Sequence, residues 1–254
     1  MKYATLIGAG AIVASCSSAH AAMFAWDWTR GQPVSAGISD AGGTIGGIST
    51  TFDTASNRFT WSVTFTDQVT QGFALVLTSG PNPKGHAGEL AIVYFDNTNM
   101  ASPRVSVYNY NGLNTLTSYK DGNASAGNQA PDRITNTTLE GPAFESVTAV
   151  DANGKRTLSF AMDATSVNLH DPLYPNPQGN DWTGLAYGSK MGIWFHPLKN
   201  LTTAYNTSGY LTNWSGTQGW MDGNNISTRE VPAPGAAALA GLGGLLAARR
   251  RRSN

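Results

Sequence analysis

Eight consecutive residues constrain the fold more than any other stretch of this chain. Phe59, Trp61, Val63 and Phe65 alternate with Thr60, Ser62, Thr64 and Thr66. Successive side chains of a β-strand point to opposite faces, so a period of two makes a strand with one aromatic, buried face and one hydroxyl face. A helix would scatter the same aromatics around its circumference. The hydroxyl row alone is too little for an ice-binding plane without matching neighbours.

Further strands follow from the same logic. Asp53 to Asn57 is a polar turn joining Ile48–Phe52 to this strand. Val147–Val150 and Arg156–Phe160 flank Asp151-Ala152-Asn153-Gly154, and Asn-Gly supplies the positive φ angles of a tight hairpin turn. Gly72–Thr78, Leu90–Phe95, Val105–Tyr110 and Met191–Phe195 are further candidates, and Ala164–Asn168 can form one helical turn. The fold class expected is all-β, a two-sheet antiparallel β-sandwich of jelly-roll or lectin-like type. An N-terminal signal helix and a C-terminal apolar helix flank it. A repeat of about 20–50 residues is absent, which argues against a solenoid or propeller. The polar stretches Asp121–Asp132 and Leu169–Asn180 read as rim loops, where a binding site is expected.

Composition narrows the function classes. Of 254 residues only 13% are charged, while there are seven Trp, nine Tyr and nine Phe. A disordered chain is charged and poor in aromatics, and a coiled coil has a heptad composition absent here. The sixteen basic and sixteen acidic residues balance only through the two ends. Removing Lys2 and Arg249 to Arg252 leaves eleven basic residues against sixteen acidic ones, a net charge of −5. Nucleic acid is therefore not an expected partner, because phosphate binding needs clustered Lys and Arg.

Met1 to Ala21 has the pattern of a secretory signal: Lys2, an uncharged stretch from Ala4 to Ala14, then Ala19-His20-Ala21. Signal peptidase would cut before Ala22. Val13-Ala14-Ser15-Cys16 also resembles a lipobox, and lipidation would instead start the mature protein at Cys16. Cys16 is the single cysteine, so cleavage at Ala22 leaves no disulfide to hold the body together. The body expected spans 22–230 and a C-terminal tail 231–254.

In that tail Val231-Pro232-Ala233-Pro234-Gly235 leads into Ala236 to Ala248, thirteen residues without a polar side chain, and then Arg249, Arg250, Arg251 and Arg252. As a helix the apolar run spans about 20 Å, short of the roughly 30 Å hydrocarbon core. The arginines would stay on the cytoplasmic side. This is the pattern of a temporary anchor. The order of short Pro-containing motif, small-residue apolar helix and arginine cluster resembles the PEP-CTERM sorting signal. Ala233 stands where the name-giving motif has glutamate.

That resemblance implies a bacterial export of Gram-negative type, inserted transiently in the inner membrane and cut near the motif by an exosortase-type membrane protease. The envelope, outer surface or extracellular matrix is the destination implied. It covers about 25 residues and says nothing of the body. Gly80-Pro81-Asn82-Pro83-Lys84-Gly85 and Gly192-Ile193-Trp194-Phe195-His196-Pro197 resemble recurring features of uncharacterised exported proteins with such tails, which implies no activity.

A catalytic centre is not expected. No Gly-x-Ser-x-Gly elbow or Gly-x-x-x-x-Gly-Lys-Ser/Thr loop occurs. His86, His170 and His196 are too far apart in sequence for metal-ligand spacing, and His196 reads as a strand-end residue with a satisfied ring. A glycoside hydrolase needs two carboxylates about 5–10 Å apart, and Glu89, Glu140, Glu145 and Glu230 form no local cluster. Distant carboxylates converging in the fold remain the enzyme alternative.

Two binding chemistries stay open. Asp121, Asn123 and Asp132 in one loop, and Asp222 and Asn224 in another, are oxygen ligands of the kind calcium takes. Asp, Asn and Gly also occupy turns for backbone reasons. Trp214 and Trp220 lie in a Gly-rich polar segment without strand alternation, with Trp182 and Tyr187 near another loop. Exposed indoles could stack on sugar rings of an envelope or matrix polysaccharide, as in a lectin-like module. Buried, they would only cap the core. The reading favoured is a non-catalytic structural or adhesive domain.

Overall fold

The computed structural model describes residues 22–80, 91–109, 133–138, 143–168 and 187–231. Among these, the strands form two antiparallel sheets that share a core, as in a β-sandwich. The first sheet has six strands: β1 (Met23–Thr29), β3 (Ile45–Asp53), β4 (Arg58–Phe65), β9 (Phe144–Ala152), β10 (Lys155–Asp163) and β14 (Arg229–Val231). Their order is β14-β1-β3-β4-β10-β9. The second sheet is built from β2 (Gly37–Ser39), β5 (Gly72–Thr78), β6 (Ala91–Asp96), β7 (Arg104–Asn109), β8 (Arg133–Asn136), β11 (Lys190–Tyr205) and β13 (Trp220–Ser227). Its order is β2-β13-β11-β5-β6-β7-β8, with β12 (Leu211–Gln218) paired to β11 off this path.

The strand read most directly from sequence sits at the centre of the first sheet. Phe59, Trp61, Val63 and Phe65 on β4 are each at most 1% exposed, while Thr60, Ser62 and Thr64 face outward. Trp61 meets Phe195 of the opposite sheet with ring centroids 5.7 Å apart, and Phe73 packs on both Phe95 and Phe195. Burying a side chain of this size is worth about 1.5–3 kcal/mol. A stack of such rings across the interface can hold the sheets together without a covalent staple.

β5 and β6 carry uninterrupted apolar runs, and every residue of both is buried. A strand reads this way when both faces are covered. One face meets the first sheet. The other is covered by the far half of β11 together with β12, whose Leu198, Leu201, Leu211 and Trp214 pack on Val76, Ile92 and Tyr94. β11 makes this possible by changing partners: Gly192–Leu198 pair with β5, and Leu198–Tyr205 pair with β12. The register shifts between Lys199 and Thr202, where Asn200 adopts a φ of 53°. Such a bulge bends the strand out of one layer and into the next.

Local turn chemistry agrees with the sequence. Asn153 and Gly154 have φ of 53° and 74° and close the β9–β10 hairpin. Asp53 accepts from the Ala55 N–H (2.9 Å) and the Ser56 hydroxyl (2.9 Å), fixing the β3–β4 turn. Among the described residues one helical turn is present, Thr165–Asn168, preceded by Asp163, which accepts from the Thr165 N–H at 2.8 Å. Arg156 is 8% exposed and ties three parts of the fold together. It donates to both Asp151 oxygens (2.7 Å each) and to the Thr70 carbonyl (2.7 Å).

Two sequence expectations are corrected here. Trp214 to Trp220, which is not among the strands expected, runs from β12 to β13 with only Gly219 between them, although β12 shows no alternation of buried and exposed residues. His196 lies inside β11, not at a strand end.

Candidate functional site

Of the aromatic residues considered for sugar binding, the described ones do not form a shared platform. Trp214 is 3% exposed and meets Tyr94 edge-on at 5.3 Å. Tyr187 is also 3% exposed, stacked on Phe52 at 5.6 Å, and burial pushes its hydroxyl pKa up. Both are core residues, because the inter-sheet and outer layers close over them. Trp220 is partly exposed on β13, its ring against Gly37 of β2. Trp182 lies outside the described residues.

The calcium candidates divide similarly. Asp121, Asn123 and Asp132 lie outside the described residues. Asp222 is 1% exposed inside β13, opposite Gly37 and Trp194, and Asn224 follows two residues later, with its carbonyl accepting from the Ser35 hydroxyl at 3.1 Å. Among the described residues no group of three His, Cys, Asp or Glu side chains could hold a metal ion. The sorting residues Pro232, Ala233, Pro234, Gly235 and Arg249 to Arg252, and Ala19 and Ala21, also fall outside. Ala22 is described, and its N–H donates to the Thr54 hydroxyl at 2.9 Å.

His86, His170, Glu89 and Glu140 lie outside the described residues, while His196 is 3% exposed. Its Nδ1 is 3.2 Å from the Gly219 carbonyl, and its ring packs on Trp194 at 4.7 Å. Several carboxylates are tied to arginines: Glu145 to Arg58 (2.6 Å), Asp40 to Arg30 (2.6 Å), Asp151 to Arg156 (2.7 Å) and Asp27 to Arg229. The Ser49 hydroxyl and then Arg229 hold Asp27 below the usual aspartate value; the Ala55 N–H does so for Asp53, and Arg156 for Asp151. A glycosidase general acid needs the opposite shift.

Two surfaces remain as candidates. The first is the outer face of the six-stranded sheet. The hydroxyl row of β4 does have neighbours. Across the strands one rank runs Asp27, Ser49, Ser62, Ser159, Thr148, and the rank on one side runs Ala25, Thr51, Thr60, Ala161, Ser146. On the other side it runs Thr29, Gly47, Thr64, Thr157, Val150. Hydroxyls pair laterally at Ser62–Ser159 (2.8 Å), Thr64–Thr157 (3.0 Å) and Thr51–Thr60 (2.6 Å). In these three ranks the charges are Asp27 and its partner Arg229, which stands beside Ala25 on β14, and a charged rank of Asp53, Arg58 and Asp163 follows beyond Thr51, Thr60 and Ala161. Adjacent strands twist by about 20–25°, roughly 80–100° over five strands, so the face is a saddle with hydroxyl ranks at its middle and not a flat lattice. A rigid crystal plane fits it poorly. A pliable hydrated polymer can follow it.

The second surface is a cleft of about 250 Å³ between the edges of the two sheets. Trp26 and Trp28 of β1 line one side, Met221, Gly223 and Ile226 of β13 the other, and Val34 its lip. The Phe24, Trp26, Trp28 alternation that aims both indoles inward is present in the sequence, but it lies directly after the segment assigned to the signal. No protein-family model matches the chain, and neither a curated protein nor a solved structure is similar to it.

Proposed function

We propose that this is an exported bacterial surface or matrix protein, with a non-catalytic structural or adhesive domain of jelly-roll or lectin-like type. The observation that carries the adhesive part is the outer face of the six-stranded sheet, where Thr60, Ser62 and Thr64 are partly exposed and Thr148 is exposed. β5 and β6 of the second sheet are buried between the first sheet and the β11–β12 layer, whereas this face presents ranks of hydroxyls. Hydroxyls at strand spacing can exchange hydrogen bonds with a hydrated polysaccharide without the desolvation cost that charged side chains carry. Carboxylates held in arginine pairs support the non-catalytic part.

Export and sorting rest on the two ends. Both would emerge on one edge of the first sheet, since Met23 of β1 pairs with Val231 of β14. Intact-mass analysis of the surface and matrix fractions of the native host tests this. The expected species begins at Ala22 and ends upstream of Ala236. A chain retaining both ends and confined to the cytosol would overturn the proposal.

A further inference from the structure

The sandwich is left open laterally where two edge strands lose their outer partners. Among the described residues β14 pairs only with Met23–Ala25 of β1, and β2 only with Trp220–Asp222 of β13. From Trp26 and from Gly223 onward, these strands border the 250 Å³ cleft. A bulge shapes its far wall. Met191 pairs with Ile226 and Ile193 with Gly223, so β13 carries one extra residue there, and Asn225 takes a φ of 48°. The Ile226 side chain lies back over Gly223, where an added Cβ would come within 2.4 Å of its Cδ1.

The lip of the cleft is pinned in place. The Trp28 indole N–H donates to the Gln32 carbonyl (3.1 Å), and the Thr29 N–H to the Gln32 side chain (2.7 Å). Ser35 reaches across to the Asn224 carbonyl (3.1 Å), joining the lip to the bulge. Arg30 grips both oxygens of Asp40 (2.8 and 2.6 Å) at the base of the same segment. A site tethered on both sides needs little ordering when a ligand enters, which conserves affinity.

We infer that this cleft binds a single neutral sugar ring, such as the terminal unit of a glycan. Among the described residues no charged side chain lines it, so an anionic or cationic ligand would enter without a counter-charge from them. Trp28 is 5% exposed and forms floor, while Trp26 is partly exposed and offers indole surface. At the mouth stand Ser35, Asn225 and Ser227, all exposed and neutral. A purely apolar ligand would strip water from these groups without replacing its hydrogen bonds. A pyranose has both properties required, a C–H face for the indole and hydroxyls for the rim. The volume lies below the roughly 300–1,000 Å³ of drug-sized pockets, which limits the occupant to about one ring. This inference does not depend on export or on the open hydroxyl face.

The test is ligand-detected NMR titration of the purified protein with the methyl glycosides of glucose, galactose and mannose. Methyl glucuronate and cyclohexylmethanol serve as charged and apolar controls. At least one neutral glycoside should bind saturably in the millimolar range, with both controls at least tenfold weaker. Trp26→Ala should weaken that binding tenfold or more. Asn225→Asp, which keeps a side chain tolerant of positive φ, should weaken it several-fold with an unchanged unfolding midpoint. Absence of binding by all three glycosides would overturn the inference. So would wild-type affinity in Asn225→Asp, or cyclohexylmethanol binding as tightly as the sugar.

Discussion

Trp214→Ala is expected to lower the unfolding free energy by about 3–5 kcal/mol, the usual range for truncating a large core aromatic. The indole is 3% exposed and wedged between the β11–β12 layer and the outer side of β5 and β6, edge-on to Tyr94. Its removal leaves a cavity where Leu201, Leu211 and Tyr94 cannot close without moving β11. The register shift near Asn200 makes that strand's path dependent on what it covers. Urea unfolding measures the effect as a lower midpoint at constant slope. The folded fraction should keep its sugar affinity. A change below about 1 kcal/mol, within the range of exposed substitutions, accompanied by lost sugar binding, would place Trp214 at a surface site instead.

Gly42→Ala is the second large effect, about 2–3 kcal/mol by analogy with overpacked cores. A Cβ there would lie 1.8 Å from the Pro197 carbonyl oxygen, 2.5 Å from its carbon and 2.6 Å from the Gly219 nitrogen. All three are backbone atoms, so no side chain can swing aside. The Pro197 carbonyl also accepts the Gly219 N–H at 2.8 Å, and the Gly42 carbonyl accepts the Thr70 hydroxyl at 2.9 Å. The methyl group must therefore displace a contact that joins the 40–43 segment to β11. Gly154→Ala is the control. Nothing lies within 4 Å of its added Cβ, and only its φ of 74° resists substitution, at about 1–2 kcal/mol. Parallel thermal melts of the two variants should show the larger drop for Gly42. The reverse order would mean that the 40–43 segment packs less closely than described.

Much of the fold is written in local pattern. β4 is legible because one strand carries both a core face and a solvent face, and the Asn153-Gly154 turn because few residues take its φ angles. β5 and β6 are legible as apolar runs, although their second covering layer is not. That layer is hidden because Pro197 interrupts β11, and because β12 buries only Leu211 and Trp214, three residues apart, across a register shift. A period of three on an irregular strand does not read as β. β1 is hard to read for a different reason: its Phe24, Trp26, Trp28 alternation lies directly beside the cleavage point expected before Ala22.

The candidate surfaces were less legible than the fold. Composition directed attention to Trp214 and Trp220, whereas the cleft draws its indoles from β1 and its bulge from β13, about 200 residues later. Only the pairing of β14 with β1, and of β13 with β11, brings those segments to one edge. The hydroxyl face shows the same limit. One rank member per strand is visible along the chain, but whether Ser62 meets Ser159 or a charged neighbour depends on register.

Matrix retention of a variant of the open face tests the central claim most directly. Ser62 and Thr148 lie in one rank, separated by Ser159, so Ser62→Glu with Thr148→Glu introduces two charges without placing them side by side. Both positions face outward, and their combined effect on stability should stay within about 1 kcal/mol. The account predicts that the doubly substituted protein is exported and folded like the parent but washes out of the matrix fraction. Retention equal to the parent's would contradict an adhesive role for this face.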